Sequence, residues 1–222
     1  MAYIKRALSD VEKQQRQEDI LNTAEKLFLD CDYKDITMSK IAKNTGLAKG
    51  TLFLYFQTKE DLFLSLTERY ISHWSQEIQM KISNSISNRK SLSINEFVNL
   101  LMNSIDNIVL VKLFSILDDT LEQNIDFNRS VQFKTFLKNE MCQIGKLIET
   151  AMPIIHEGHG IMILSQLFIC LIGSYKVSHP SPIVKQAIQE PGLEMFDRDF
   201  IKTMMDMATY HIHGYITMHQ NK

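Results

Sequence analysis

Apolar residues recur at helical spacing along almost the whole of this chain. Ile20, Ala24, Leu27, Phe28 and Cys31 stand at i, i+4, i+7, i+8 and i+11, one face of a first helix. Its start is predicted at Ser9, because Ser9-Asp10-Val11-Glu12 carries the serine and glutamate of a capping box. Cys-Asp-Tyr-Lys-Asp ends it. Thr37 is the predicted cap of a short helix, Met38 to Asn44, that buries Ile41 and Ala42, and Thr45-Gly46 stops it. A third helix is predicted over Lys49 to Phe56. Thr58 then caps a fourth, with Asp61 three residues on and Leu62, Leu66, Tyr70, Trp74 and Ile78 at four-residue spacing, reaching about Ile82.

The polar stretch Ser83 to Ser93 separates this helix from a fifth, opened by the capping box Ser93-Ile94-Asn95-Glu96. Further helical patterns cover about Asp106–Glu122, Asn128–Met152, Gly158–Val177 and Asp197–His219, with SHPSP (178–182) and EPG (190–192) as punctuation. No segment alternates as a half-buried strand does. The prediction is an all-α protein: a three-helix N-terminal unit followed by a larger helical body. Composition agrees, since 8 glycines and 4 prolines in 222 residues are few turn-formers.

Charge adds one feature. The net charge is −2, yet Lys34, Lys40, Lys43, Lys49 and Lys59 face Asp35 alone between residues 34 and 59, a local surplus of four positive charges. Such a patch attracts phosphates locally without making an acidic chain adhesive throughout. It falls where two short helices meet through a glycine turn and are braced by a longer first helix, which is a helix-turn-helix. The second of these helices can enter a major groove end-on, with its amides and dipole toward phosphate. Spacing and charge leave two functions open: a DNA-binding regulator, or a helical partner-binding adaptor whose helix-turn-helix only packs.

The wording of the segment is more specific. Ile20-Leu21, Ala24, Leu27 and Phe28, then Thr37, Ile41-Ala42, Gly46-Leu47, Lys49-Gly50-Thr51-Leu52, Phe56 and Lys59-Glu60-Asp61-Leu62 stand in one register. In that register the chain resembles the N-terminal domain of the tetracycline-repressor (TetR) family of bacterial transcription regulators, over about Arg16 to Gln76. The resemblance implies an arm over 1–15, a DNA-binding domain over 16–76 with the helix-turn-helix at about 37–56, and an effector-binding and dimerisation domain over 77–222. It implies DNA contacts at Thr37, Ser39, Ala48, Lys49, Gly50, Thr51, Tyr55 and Lys59, with Leu52 and Phe56 as core. Three positions depart from the family pattern. Ala48 replaces a Ser or Thr, Phe53 replaces a common Tyr, and Leu54 stands where a polar or aromatic residue reads bases, so the third helix turns toward apolar contacts such as thymine methyls.

By the same resemblance the protein acts as a homodimer on a pseudo-palindromic operator, joined through its last two long helices, and a small effector in the middle helices releases the DNA. Phe200, Met204, Met207, Ala208, His211, Ile212 and Tyr215 make the broad face offered for that interface. Trp74, Phe97, Phe114, Phe136 and Met141 are the candidate pocket residues, and 12 methionines suit an adaptable apolar site for a hydrophobic or amphipathic effector.

Other chemistry finds little support. His156-Glu157-Gly158-His159 and His211-Ile212-His213 match no zinc signature, so no metal or cofactor is expected. No catalytic motif occurs, and an enzyme is not expected. Cys31, Cys142 and Cys170 form no CxxC pair and read as reduced thiols of a cytoplasmic protein. The most apolar run, Gly160 to Gly173, is 14 residues and reads as a fully buried helix rather than a membrane span.

Overall fold

The computed structural model of the protein describes residues 2–88, 91–105 and 108–219, with side chains from Asp10 onward. Among the described residues there is no strand. The α-helices are α1 (Ala2–Asp30), α2 (Met38–Thr45), α3 (Lys49–Leu52), α4 (Lys59–Ser87), α5 (Ile94–Ser104), α6 (Ile108–Ser115), α7 (Phe127–Ala151), α8 (His159–Ser178), α9 (Pro182–Ala187) and α10 (Phe200–His219). The all-α expectation holds.

Several boundaries differ from the pattern. Helix α1 begins at Ala2, so Ser9 lies inside it, and its capping interaction falls outside the described side chains. The pattern predicted over Asp106–Glu122 is not one helix; Asp106 and Asn107 lie outside the described residues. After Ser115 the backbone widens, with the amides of Thr120 and Leu121 both donating to the Ile116 carbonyl at 3.1 Å. This π-type turn keeps Leu117 and Leu121 both buried. Helix α9 stands where only turn signals were read, with Pro182 at its first position. The two later caps form as expected: Thr58 Oγ1 accepts from the Asp61 amide at 2.9 Å, and Ser93 and Glu96 bond reciprocally.

The chain forms two compact units. The first comprises the residues up to Arg69 together with Ile116–Phe133. Its core joins Ile20, Phe28, Ile41, Leu52, Phe56 and Phe63, all buried, with Phe28 and Tyr33 edge-on to the Phe63 ring at 5.4 and 5.0 Å. Arg69 braces α1 against α4, donating to Glu18 at 2.9 Å, Asn22 at 2.8 Å and Glu25 at 2.6 Å.

The second unit comprises Tyr70–Ser115 and Lys134–Lys222. In it α8 packs on α6 and α10, and α10 packs also on α5. Helix α8 has 20 residues, long and apolar enough by length and composition to cross a membrane. It is not buried all round: Ile163, Leu167 and Leu171 face the core, while Met162, Ile169 and Val177 are exposed. On α10 the buried side is Met204, Ala208, Ile212 and Tyr215, so most of the face offered for pairing between copies is occupied within the protomer. Met207 of that face stays exposed, together with Tyr210 and Met218, which lie outside it.

Candidate nucleic-acid interface

Helix α2 starts where Thr37, in extended backbone, accepts the Lys40 amide on its Oγ1 at 3.1 Å. It ends at Gly46, which takes φ +68°, a conformation only glycine adopts without penalty. The Leu47 amide reaches back to the Ala42 carbonyl at 2.9 Å and the Gly46 amide to Lys43 at 3.3 Å, the paired bonds of a Schellman motif. The chain is thereby turned into α3 within two residues. Ala48 occupies the cap of α3 and supplies no side-chain bond. Helix α3 is a single turn, Lys49–Leu52, and not the two turns predicted to Phe56. It continues in tightened turns, with Leu54 donating to Thr51 and Tyr55 to Leu52. So short a helix has little dipole, and attraction to phosphate falls to side-chain cations.

The residues implied by the resemblance divide by environment. Thr37, Ser39, Ala48, Lys49 and Gly50 are exposed, and nothing lies within 4 Å of the place a Cβ would take on Gly50. Thr51 is half-buried, and Tyr55 is half-buried beside Arg16 and Asp19 of α1. Leu52 and Phe56 are core. Lys49 holds its ammonium 5.8 Å from the Phe53 ring centroid. Lys59 is engaged: its ammonium donates to the Tyr33 carbonyl at 3.0 Å and lies 3.9 Å from that ring's centroid. Burial lowers its pKa, with the Glu60 charge opposing. Burial and Glu60, whose carboxylate accepts the phenol at 3.0 Å, push Tyr33 above its ordinary pKa. Lys40 likewise points inward, to the Cys31 sulfur at 3.3 Å. Lys43 and Lys49 are therefore the lysines that remain exposed on the helix-turn-helix itself.

Missed in the sequence was Arg129, in the first turn of α7. It donates to both carboxylate oxygens of Glu68 at 2.7 and 2.9 Å, to Asp61 at 2.8 Å and to Ser65 at 3.1 Å. Asp61 also accepts the Gln57 amide at 3.3 Å, so this clamp holds the first turns of α4 directly after the reading segment.

In the second unit a cavity of about 90 Å³ lies among Ile71, Trp74, Leu101, Phe114, Met141, Leu164 and neighbouring apolar residues, with Glu140 at its edge. Trp74, Phe114 and Met141 of the candidate pocket set line it; the Trp74 indole donates to Ser104 at 2.9 Å. Phe97 is fully buried elsewhere in the core and Phe136 is half-buried outside the lining. Among the described residues no group of three or more His, Cys, Asp or Glu is arranged to hold a metal.

A Schellman turn between two short helices, an exposed basic edge and an all-helical second unit with an apolar cavity define a helix-turn-helix protein with an appended helical body. Residues 20–66 match the tetR family of bacterial regulatory proteins, and residues 68–219, more than half of the chain, match the tetracyclin repressor-like C-terminal domain. The chain belongs to the tetR family. Over 83 residues it is 28% identical to the fatty acid metabolism regulator protein of Bacillus subtilis, covering 37% of this chain and 43% of that one. Over 69 residues it is 33% identical to the HTH-type transcriptional regulator EthR of Mycobacterium tuberculosis, covering 31% and 32%. The matched segments thus span less than half of these curated relatives. The solved FadR of Bacillus subtilis, in complex with stearoyl-CoA, shares the fold at a TM-score of 0.55 and 18% identity, over 88% of this chain and 99% of that one.

Proposed function

We propose that the chain is a ligand-responsive transcriptional repressor. As a homodimer it binds a pseudo-palindromic operator through α2 and α3, and it releases the DNA when an effector with an apolar tail enters the cavity of the helical body. The observation that carries this reading is the turn at Gly46: it presents the bare backbone of Gly50 beside exposed Lys43 and Lys49, as groove entry with phosphate clamping requires. Dimerisation is supported by the exposed apolar sides of α8 (Met162, Ile169, Val177) and α10 (Met207, Tyr210, Met218). Gly173 and Gly214 stand in open space on these helices, where a second copy could approach closely.

The effector class follows from the cavity. Its lining is apolar apart from Glu140, which suits a hydrocarbon tail. At about 90 Å³ it is several times smaller than the roughly 300–1,000 Å³ of drug-sized sites, so a ligand must push its walls apart. Those walls include Ile71 and Trp74 of α4, the helix that follows the reading segment. The stearoyl-CoA held by the structurally similar FadR supports an acyl chain as the first probe.

Anisotropy of a labelled duplex from upstream of the protein's own gene, titrated across salt concentrations, tests the DNA reading. Lys49→Ala is expected to weaken binding and to flatten the dependence of log K on log salt by about 1 for each phosphate that is no longer neutralised. A wild-type chain that ignores the duplex even at low salt is instead a helical adaptor. For the effector, stearoyl-CoA is expected to shift the emission of Trp74, the single tryptophan, and to lower operator affinity. Unchanged emission at saturating probe would count against an acyl tail.

A further inference from the structure

At the tip of the reading segment Leu54 is 80% exposed and Phe53 is 42% exposed, between the buried anchors Leu52 and Phe56. Ala48, also exposed, brings no polar group to the same segment. Three positions that could each have carried a hydroxyl or an amide are thus apolar, on the most cationic part of the chain. The lysine at its edge is part of the same surface, since the Lys49 ammonium overlies the Phe53 ring. Side chains without donors or acceptors cannot read the hydrogen-bonding edges of bases. In the major groove only thymine offers an apolar group, its C5-methyl.

We infer that Leu54, with Phe53 beside it, is a specificity-determining residue that reads a thymine methyl in each operator half-site, while Lys43 and Lys49 supply the phosphate contacts. This inference rests on the DNA-binding reading above. The cations match the phosphates that flank a groove, and the exposed leucine gains only where it meets a methyl group out of water.

A duplex selected by the wild-type chain from random-sequence DNA is resynthesised with deoxyuridine replacing thymine at one position at a time, which removes only the methyl. Binding is expected to weaken about fourfold at one position in each half-site, the worth of one methyl group withdrawn from water. Leu54→Ala is expected to bind the thymine and uracil duplexes alike, and Leu54→Met to restore the difference. Because Leu54 is exposed, both variants keep the wild-type unfolding temperature. Uracil effects below about twofold at every position, or a Leu54→Ala chain that keeps the uracil penalty, overturn the inference while leaving DNA binding intact. Failure to select any duplex overturns the DNA-binding reading itself, and this inference with it.

Discussion

Gly160→Ala is expected to lower the unfolding temperature by about 6–12 °C. A Cβ on Gly160 would stand against the Gly145 carbonyl oxygen and 2.8 Å from its carbon; a Cβ on Gly145 would stand 2.7 Å from the Ile161 amide nitrogen. These are backbone atoms, and no rotamer change relieves them. Helices α7 and α8 touch main chain to main chain, and a methyl group must push them apart. The same crossing seats the Glu149 carboxylate on the Gly160 amide at 2.8 Å, a bond that breaks when the helices separate. Overpacking costs about 1–3 kcal/mol, and an unyielding backbone clash lies at the upper end. In a chain of this length each kcal/mol moves the midpoint by roughly 2–4 °C. Thermal unfolding of the variant and the wild type, followed by circular dichroism, measures it. If Gly160→Ala unfolds within about 2 °C of the wild type, the close crossing of α7 and α8 is wrong.

That crossing shows where the sequence was readable. Periodicity exposes an element when its apolar residues repeat, so α1, α4, α7 and α10 were legible, and so were the caps at Thr37, Thr58 and Ser93, though not the start of α1, which lies ahead of Ser9. The turn was legible too, since Gly46 is the residue such backbone demands. A glycine in mid-helix carries no such label. Gly145 and Gly160 each look like a weak point in a helix until both appear at one crossing, fifteen positions apart in the chain.

The candidate interface was legible in its outline and not in its electrostatics. Five lysines in 26 residues read as one basic patch, but a sequence does not say which way a lysine points. Tyr33 takes Lys59 and Cys31 takes Lys40, contacts set by how α1 ends and how α4 begins. The pairing face of α10 was misread for a related reason. Its apolar residues run nearly all round, so period alone cannot tell the side packed on α5 and α8 from the side left exposed.

Arg129→Met is expected to cost about 3 kcal/mol and to weaken operator binding, although Arg129 is remote in sequence from the helix-turn-helix. The Arg129 side chain is only 15% exposed, and its two acidic partners are 22% and 25% exposed, so the group is largely shielded from solvent. Burial works against the guanidinium charge, but its bonds to Glu68 and Asp61 hold it above its ordinary pKa. Methionine fills similar space and leaves two carboxylates facing each other without a cation, which is the expensive way to break a buried pair. Arg129→Lys keeps the charge but gives up the two-pronged grip on Glu68, and is expected to recover part of the loss. Adding Glu68→Gln to Arg129→Met removes one stranded charge and should return about 1 kcal/mol. Urea unfolding gives the stabilities and duplex anisotropy gives the affinities. The binding loss is expected to exceed any loss in Arg69→Met at matched stability, because Arg129 grips Asp61 and Ser65 in the first turns of α4, which follow the reading segment in the chain, whereas Arg69 braces α4 further along against α1. Equal binding by the two variants would make Arg129 a stabilising residue with no part in setting the reading segment.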